Sequence, residues 1–172
     1  MRKKSMTHRF HLLTVALLLC LATRSPAEAA GPTADQYDSA VPRRWYFLLY
    51  DRVKAESFSP PVAARAFGAA GVALYQAVHG GMPANVSLVR QLNDLKALPA
   101  ARPDLEYHWP SAANAALAEI LRSLFAAKRA SLSAFAELEN EIHDALASGV
   151  VPDTLARSTS LGESIGQAIG RW

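Results

Sequence analysis

Cysteine is almost absent from this chain. Cys20 is the only one, and it falls in an N-terminal stretch expected to be removed. A disulfide framework and thiolate metal ligation are therefore excluded for the remainder, and an apolar core has to hold the fold. Long hydrophobic runs are lacking too. The one candidate, Leu12 to Ala22, has 11 residues and is too short to cross a bilayer as a helix. Excess charge of one sign is missing as well. The chain carries 18 basic and 15 acidic residues, but five of the basic ones (Arg2, Lys3, Lys4, Arg9, Arg24) and one acidic one (Glu28) lie in residues 1–29. Residues 30–172 hold 13 basic against 14 acidic residues, so the basic isoelectric point belongs to the leader. No basic surface for nucleic acid is left.

The leader itself is readable. Basic residues before position 10, the apolar run and then Ala27-Glu28-Ala29 form a secretory signal peptide. Cleavage after Ala29, or after Ala30, sends a bacterial protein to the periplasm or beyond. Two alternatives stay open: acylation of Cys20 as a lipoprotein, although Leu19 before it is unlike the usual small residue, and a retained leader anchoring a membrane-associated scaffold. Apart from a retained leader, no stable membrane span is expected after cleavage. Residues 30–172 are enough for one domain, which at this size buries roughly two-thirds of its unfolded surface.

Within that part, residues 30–42 are polar, bracketed by Pro32 and Pro42, and read as a flexible N-terminal arm. Residues 43–172 read as an all-α domain, a bundle of about five helices around a central Ala/Gly-rich helix over 59–79. That helix opens on Ser59-Pro60-Pro61 and closes on Gly80-Gly81, a start and stop the backbone chemistry of proline and glycine favours. Gly68 and Gly71 lie inside it. Each costs about 1 kcal/mol relative to alanine, so close approach of a neighbouring helix is expected there.

Before it, RRWYFLLYDRVKAE places Trp45, Leu48, Leu49 and Val53 on one stripe. After it, 82–109 lacks clear periodicity, with at best a short helix over Ser87 to Leu95. Asn85-Val86-Ser87 matches a glycosylation sequon, but in a bacterial protein Asn85 reads as a local cap. A helix from Pro110 buries Ala113, Leu117, Ile120, Leu121, Leu124 and Phe125. Another, launched near Ser131 or Ser133, buries Phe135, Leu138, Ile142 and Leu146. The last, from Thr154, buries Leu161, Ile165, Ala168 and Ile169 and carries Gly162, Gly166 and Gly170 at fourfold spacing, a ladder that admits close helix packing.

Few residues offer chemistry. Arg65, among alanines, is either a structural arginine or an anion contact. His79 is placed to cap the end of its helix. Glu139 and His143 at i, i+4 could begin a metal site, but no third ligand stands at a recognisable spacing.

The blocks SPPVAARAFGAAGVALYQAVHGGMP, SLVRQLNDL and YHWPSAANAALAEILRSLF, with Leu161 to Ile169, resemble the N-terminal helical region of bacterial vanadium-dependent haloperoxidase homologues, within the type 2 phosphatidic acid phosphatase/haloperoxidase superfamily. The resemblance covers about residues 43–172. It implies an all-helical fold and, for complete relatives, vanadate or phosphate held by lysine, arginine, serine, glycine and histidine in motifs C-terminal to this region. The chain contains no Ser-Gly-His, and Lys96 to Arg102-Pro103 has five intervening residues where the family motif has six. No catalytic, cofactor-binding or metal-binding residue is carried over, and no cofactor is assigned to this chain.

Three readings compete. The chain is the N-terminal helical part of an exported haloperoxidase- or acid phosphatase-like protein, inactive alone; or a self-sufficient secreted helical binding module; or a membrane-associated scaffold. On the first, helix 154–172 ends abruptly at Trp172 and its glycine ladder marks a second surface, exposed for self-association or for a missing C-terminal half.

Overall fold

The computed structural model describes residues 31–172; the expected signal peptide and Cys20 lie outside them. Five α-helices and no strand occur among the described residues. They are α1 Ala40–Ala55, α2 Pro60–Val78, α3 Trp109–Leu124, α4 Arg129–Ala147 and α5 Pro152–Arg171. Proline stands in the first turn of α2, α3 and α5, where its missing amide would have had no partner anyway. None of these helices is long and apolar enough to cross a membrane.

The 30–42 segment, expected as an arm, contains a 3-10 turn at Ala34–Gln36 and the first residues of α1. Trp109 Nε1 donates to the Pro32 carbonyl at 2.9 Å, and Tyr37 meets His108 edge to face. Helix α1 thus begins three residues before Arg43, because Pro42 sits in an opening turn that tolerates it. It buries Val41, Trp45, Leu49 and Val53 and turns Phe47 and Tyr50 outward.

The most enclosed position belongs to α3, not to the 59–79 helix. Ser111 through Ala118 are buried without a break, and 11 of the 16 residues of α3 are buried. Helix α2 buries one stripe only, Ala66, Ala70, Ala73, Gln76 and Ala77. All four other helices pack against α3. Its alanines explain this: with side chains cut to a methyl, neighbours approach from every side.

The closest of these neighbours is α5, and its glycine ladder is the reason. At Gly162 a Cβ would run into the Ala112 carbonyl and the Ala115 methyl. At Gly166 it would lie 2.7 Å from Glu119 Cβ and 2.8 Å from the Ala116 carbonyl, and at Gly170 it would lie 2.9 Å from Ser123 Oγ. Leu161, Ile165 and Ile169 are buried along the same helix. The ladder was expected to mark a second, uncovered surface; it is filled by α3 within the chain. The outward side of α5 is polar, with Ser160, Gln167 and Arg171 exposed. Trp172 donates from Nε1 to the Asn93 carbonyl at 2.9 Å.

The expectation for Gly68 and Gly71 is corrected as well. No atom lies within 4 Å of a Cβ built at Gly68, and Gly71 would meet only Tyr46 Oη at 3.4 Å. Close helix approach therefore occurs at α5, and α2 keeps its glycines without a neighbour that needs them.

On the other side of α3, polar and aromatic contacts join α1 and α4. Trp45 Nε1 donates to Asn114 Oδ1 at 2.8 Å, and Asn114 Nδ2 donates to the Glu139 carbonyl at 3.1 Å. Phe58 stacks on Phe125 at 4.8 Å between centroids, and Phe125 meets Phe135 edge-on at 5.1 Å. These rings close the core where α2 begins and α3 ends.

The two kinds of glycine should answer substitution with opposite signs. Gly166→Ala should destabilise by about 1–3 kcal/mol through overpacking against α3. Gly68→Ala should stabilise by about 0.5–1 kcal/mol through helix propensity alone. Urea midpoints of the two variants decide it, and a stabilising Gly166→Ala refutes the close packing.

Candidate functional site

The segment 82–108 between α2 and α3 holds no α-helix. The short helix expected over 87–95 is replaced by turns, in which Arg90 (φ 65°) and Asp94 (φ 63°) take the left-handed conformation. Two such residues within five positions break any helical run, and each costs about 1 kcal/mol or more unless the surroundings impose it. Here the Arg90 amide donates to the Leu95 carbonyl at 2.8 Å, and Leu95 is buried in the core. Leu88 and Leu92 pack beside it. The three leucines do reach the core, but from a folded turn rather than a helix face.

Gln76 ties this loop down. It is 8% exposed; its Nε2 donates to Ser87 Oγ at 3.0 Å, and its Oε1 accepts from the Leu88 amide at 3.0 Å. Tyr75 Oη donates to the Val86 carbonyl at 2.8 Å, and His79 Nε2 lies 3.2 Å from the Asn85 carbonyl. The role expected of His79, capping its own helix, is instead a tether to the loop. At the far end the Arg102 amide donates to Tyr107 Oη at 3.2 Å, Tyr107 stacks on Trp109, and Arg157 donates twice to the Glu106 carbonyl.

Between these anchors the loop stands away from α2 and leaves a cavity of about 590 Å³, within the range of small-molecule sites. Ala77, Leu98, Pro99 and Leu161 supply apolar wall; His79, Arg90 and Lys96 supply the only ionisable side chains on it. No acidic residue lines it, and neither Arg90 nor Lys96 forms an ion pair among the described residues. A cavity with apolar walls and unpaired cations can hold an organic anion.

The other residues singled out in the sequence are not brought together. Arg65 is exposed and borders a shallow pocket with Phe58, Ser123 and Gly170. Glu139 is held by Arg122, which also pairs with Glu119 at 2.8 Å, while His143 is half-buried elsewhere on α4. No group of three metal-ligating side chains forms among the described residues. Arg102 is fixed to Asp104 at 2.7 Å and does not line the cavity, whose wall Lys96 and Arg90 share. The pairing of Lys96 with Arg90 had no sequence signal, because it depends on the left-handed turn between them.

His108 stands at the end of the loop, as the residue before α3. Its Nδ1 lies 2.7 Å from Ser111 Oγ, and its amide donates to Ser158 Oγ at 2.8 Å. Ser111 is buried, so the pair closes the start of α3 and offers no accessible nucleophile. Burial pushes the imidazole below its ordinary range, against the opposing pull of Glu106.

Comparison with protein-family models, curated proteins and solved structures gave no match to this chain.

Gln76→Leu should destabilise by about 1–3 kcal/mol, since the Leu88 amide loses its partner. Hydrogen exchange should show the amides of Ser87 to Lys96 opening first, and unchanged protection there would refute the clamp. For His108, a folded pKa below the unfolded value near 6.5 means that the folded form binds fewer protons in that interval. The stability it contributes is whole above about pH 6.5 and declines as pH falls toward the folded pKa. NMR titration should place this imidazole below the ordinary value, and His108→Asn should flatten that part of the stability profile. Titration at or above the ordinary value would sink the assignment.

Proposed function

We propose that this chain is the exported N-terminal helical portion of a vanadium-dependent haloperoxidase- or acid phosphatase-like protein, without turnover of its own. The observation that supports the reading is where the resembling blocks fall. The proline-started helix from Ser59, the block from Tyr107 to Phe125 and the run Leu161 to Ile169 become α2, α3 and α5, which pack on one another. The small and apolar residues of these blocks make those contacts, so the blocks build packing and carry no reaction. Vanadate or phosphate would belong to a catalytic unit outside this chain. A partner unit, or a second copy, meeting helix 154–172 would have to use its outward side, with Ser160, Gln167 and Arg171.

One observation favours a second reading, a self-sufficient secreted binding module: the Gly162, Gly166 and Gly170 surface is filled from within. The two readings differ in what the isolated protein does. With vanadate, peroxide and bromide, the purified protein should halogenate no faster than buffer, and a vanadate-dependent rate would refute the absence of turnover. Size-exclusion and dye binding separate the two: an assembling, dye-binding protein supports the incomplete unit, and a dye-free monomer supports the module.

A further inference from the structure

We infer that the cavity under the 82–108 loop is a binding site for a small amphipathic organic anion, an oxyanion head on an apolar body. The inference stands apart from the haloperoxidase-like reading: Lys96 enters it as a cation on the cavity wall, not through the family's lysine motif, whose spacing to Arg102-Pro103 it does not keep.

Charge is the first support. The acidic groups nearest to cations elsewhere in the fold are taken: Asp104 by Arg102, Glu56 by Lys128, Glu119 and Glu139 by Arg122, and Glu141 by Arg44. Arg90 and Lys96 have no such partner among the described residues, and they border one cavity whose lining includes no carboxylate. Both cations are exposed, so their attraction for an anion comes from two like charges sharing one concave wall without a carboxylate, and it weakens with added salt.

Shape is the second. Ala77, Leu98, Pro99 and Leu161 form an apolar side, which gains nothing from a bare inorganic ion and favours a hydrocarbon body. The third is that the backbone carrying the cations is held in place. Arg90 sits in a left-handed turn whose amide is bonded to Leu95, and Lys96 follows that buried leucine directly. The Gln76 clamp fixes the same loop to α2. Both charges are therefore presented by an anchored loop, which lowers the ordering cost of binding.

A carboxylate and a phosphate monoester share this chemistry, and the test separates them. Calorimetry on the purified protein would compare hexanoate, hexyl phosphate, hexanol and inorganic phosphate, with amide shifts mapped by NMR. Hexanoate or hexyl phosphate should bind, whichever is tighter naming the head group, and should shift the amides of Gly80, Arg90, Lys96 and Ala100. Hexanol and inorganic phosphate, each lacking one half of the match, should bind about ten-fold or more weaker. Arg90→Gln and Lys96→Gln should each weaken binding about five- to ten-fold. Arg102→Gln, at a cation already paired outside the cavity, should leave it unchanged. Both cavity substitutions are at exposed side chains, and unchanged urea midpoints verify that the fold is intact. No binding of either amphiphile at millimolar concentration overturns the inference. So does hexanol binding as tightly as hexanoate, or affinity that survives the double substitution.

Discussion

The contact on which this bundle depends is the approach of α5 to α3 at the distance set by backbone rather than side chains. Gly162 and Gly166 present no Cβ to the carbonyls of Ala112 and Ala116, so the helices meet where a single added carbon has no room. Dispersion attraction is small per atom pair and falls quickly with distance, and a close, extended contact is how small side chains hold two helices together. Alanines bury little area each, which matters in a chain with no disulfide among its described residues. What they lack in area they recover in proximity.

From that contact the rest is positioned. With α5 on one side of α3, the buried Asn114 on another can bridge Trp45 of α1 and the backbone of α4. A buried amide satisfied on both its oxygen and its nitrogen fixes the register of three helices at once, because leaving either end unpaired is costly. The start of α3 is fixed from α5 too, through Ser158 and the His108 amide. The long loop then has two firm ends, Gln76 on α2 and the Tyr107–His108 corner at α3. Between those ends the left-handed turn is closed by the Arg90 amide on the Leu95 carbonyl.

Helical periodicity made the class and the number of helices legible. The buried stripes of α1, α4 and α5 follow from residues such as Trp45, Phe135 and Ile165, which recur at helical spacing. Rank among the helices was not legible. The 59–79 segment has the richer run of Ala and Gly, yet enclosure is decided by how many neighbours a helix acquires, and that is a property of the whole arrangement. Glycine showed the same limit. Gly68 and Gly166 both sit among small residues inside a helix, and only the structure distinguishes a glycine with no neighbour from one pressed against a carbonyl. The loop was least legible, since Leu88, Leu92 and Leu95 fit a helix face until the backbone of Arg90 and Asp94 is known. The cavity inherits that difficulty.

The distribution of charge connects the fold to its surface chemistry. Arg122 lies between Glu119 of its own helix and Glu139 of α4, and Glu56 accepts from Ser131 while pairing with Lys128; hydrogen bonds from Ser131 and Lys128 hold the Glu56 carboxyl below its ordinary range. The Arg122–Glu139 and Lys128–Glu56 pairs cross from one element to the next and neutralise charge where helices meet. The loop is different in kind. Its one ion pair, Arg102 with Asp104, is local and exposed, the kind that contributes little to stability. Arg90 and Lys96 join nothing to anything. Arg43 and Arg65 on the helices are likewise without an ion pair among the described residues, but each borders its pocket as the single cation. On the loop two cations share one concave wall with Leu98, Pro99 and Leu161 and no carboxylate, and that concentration of charge is what sets the loop apart.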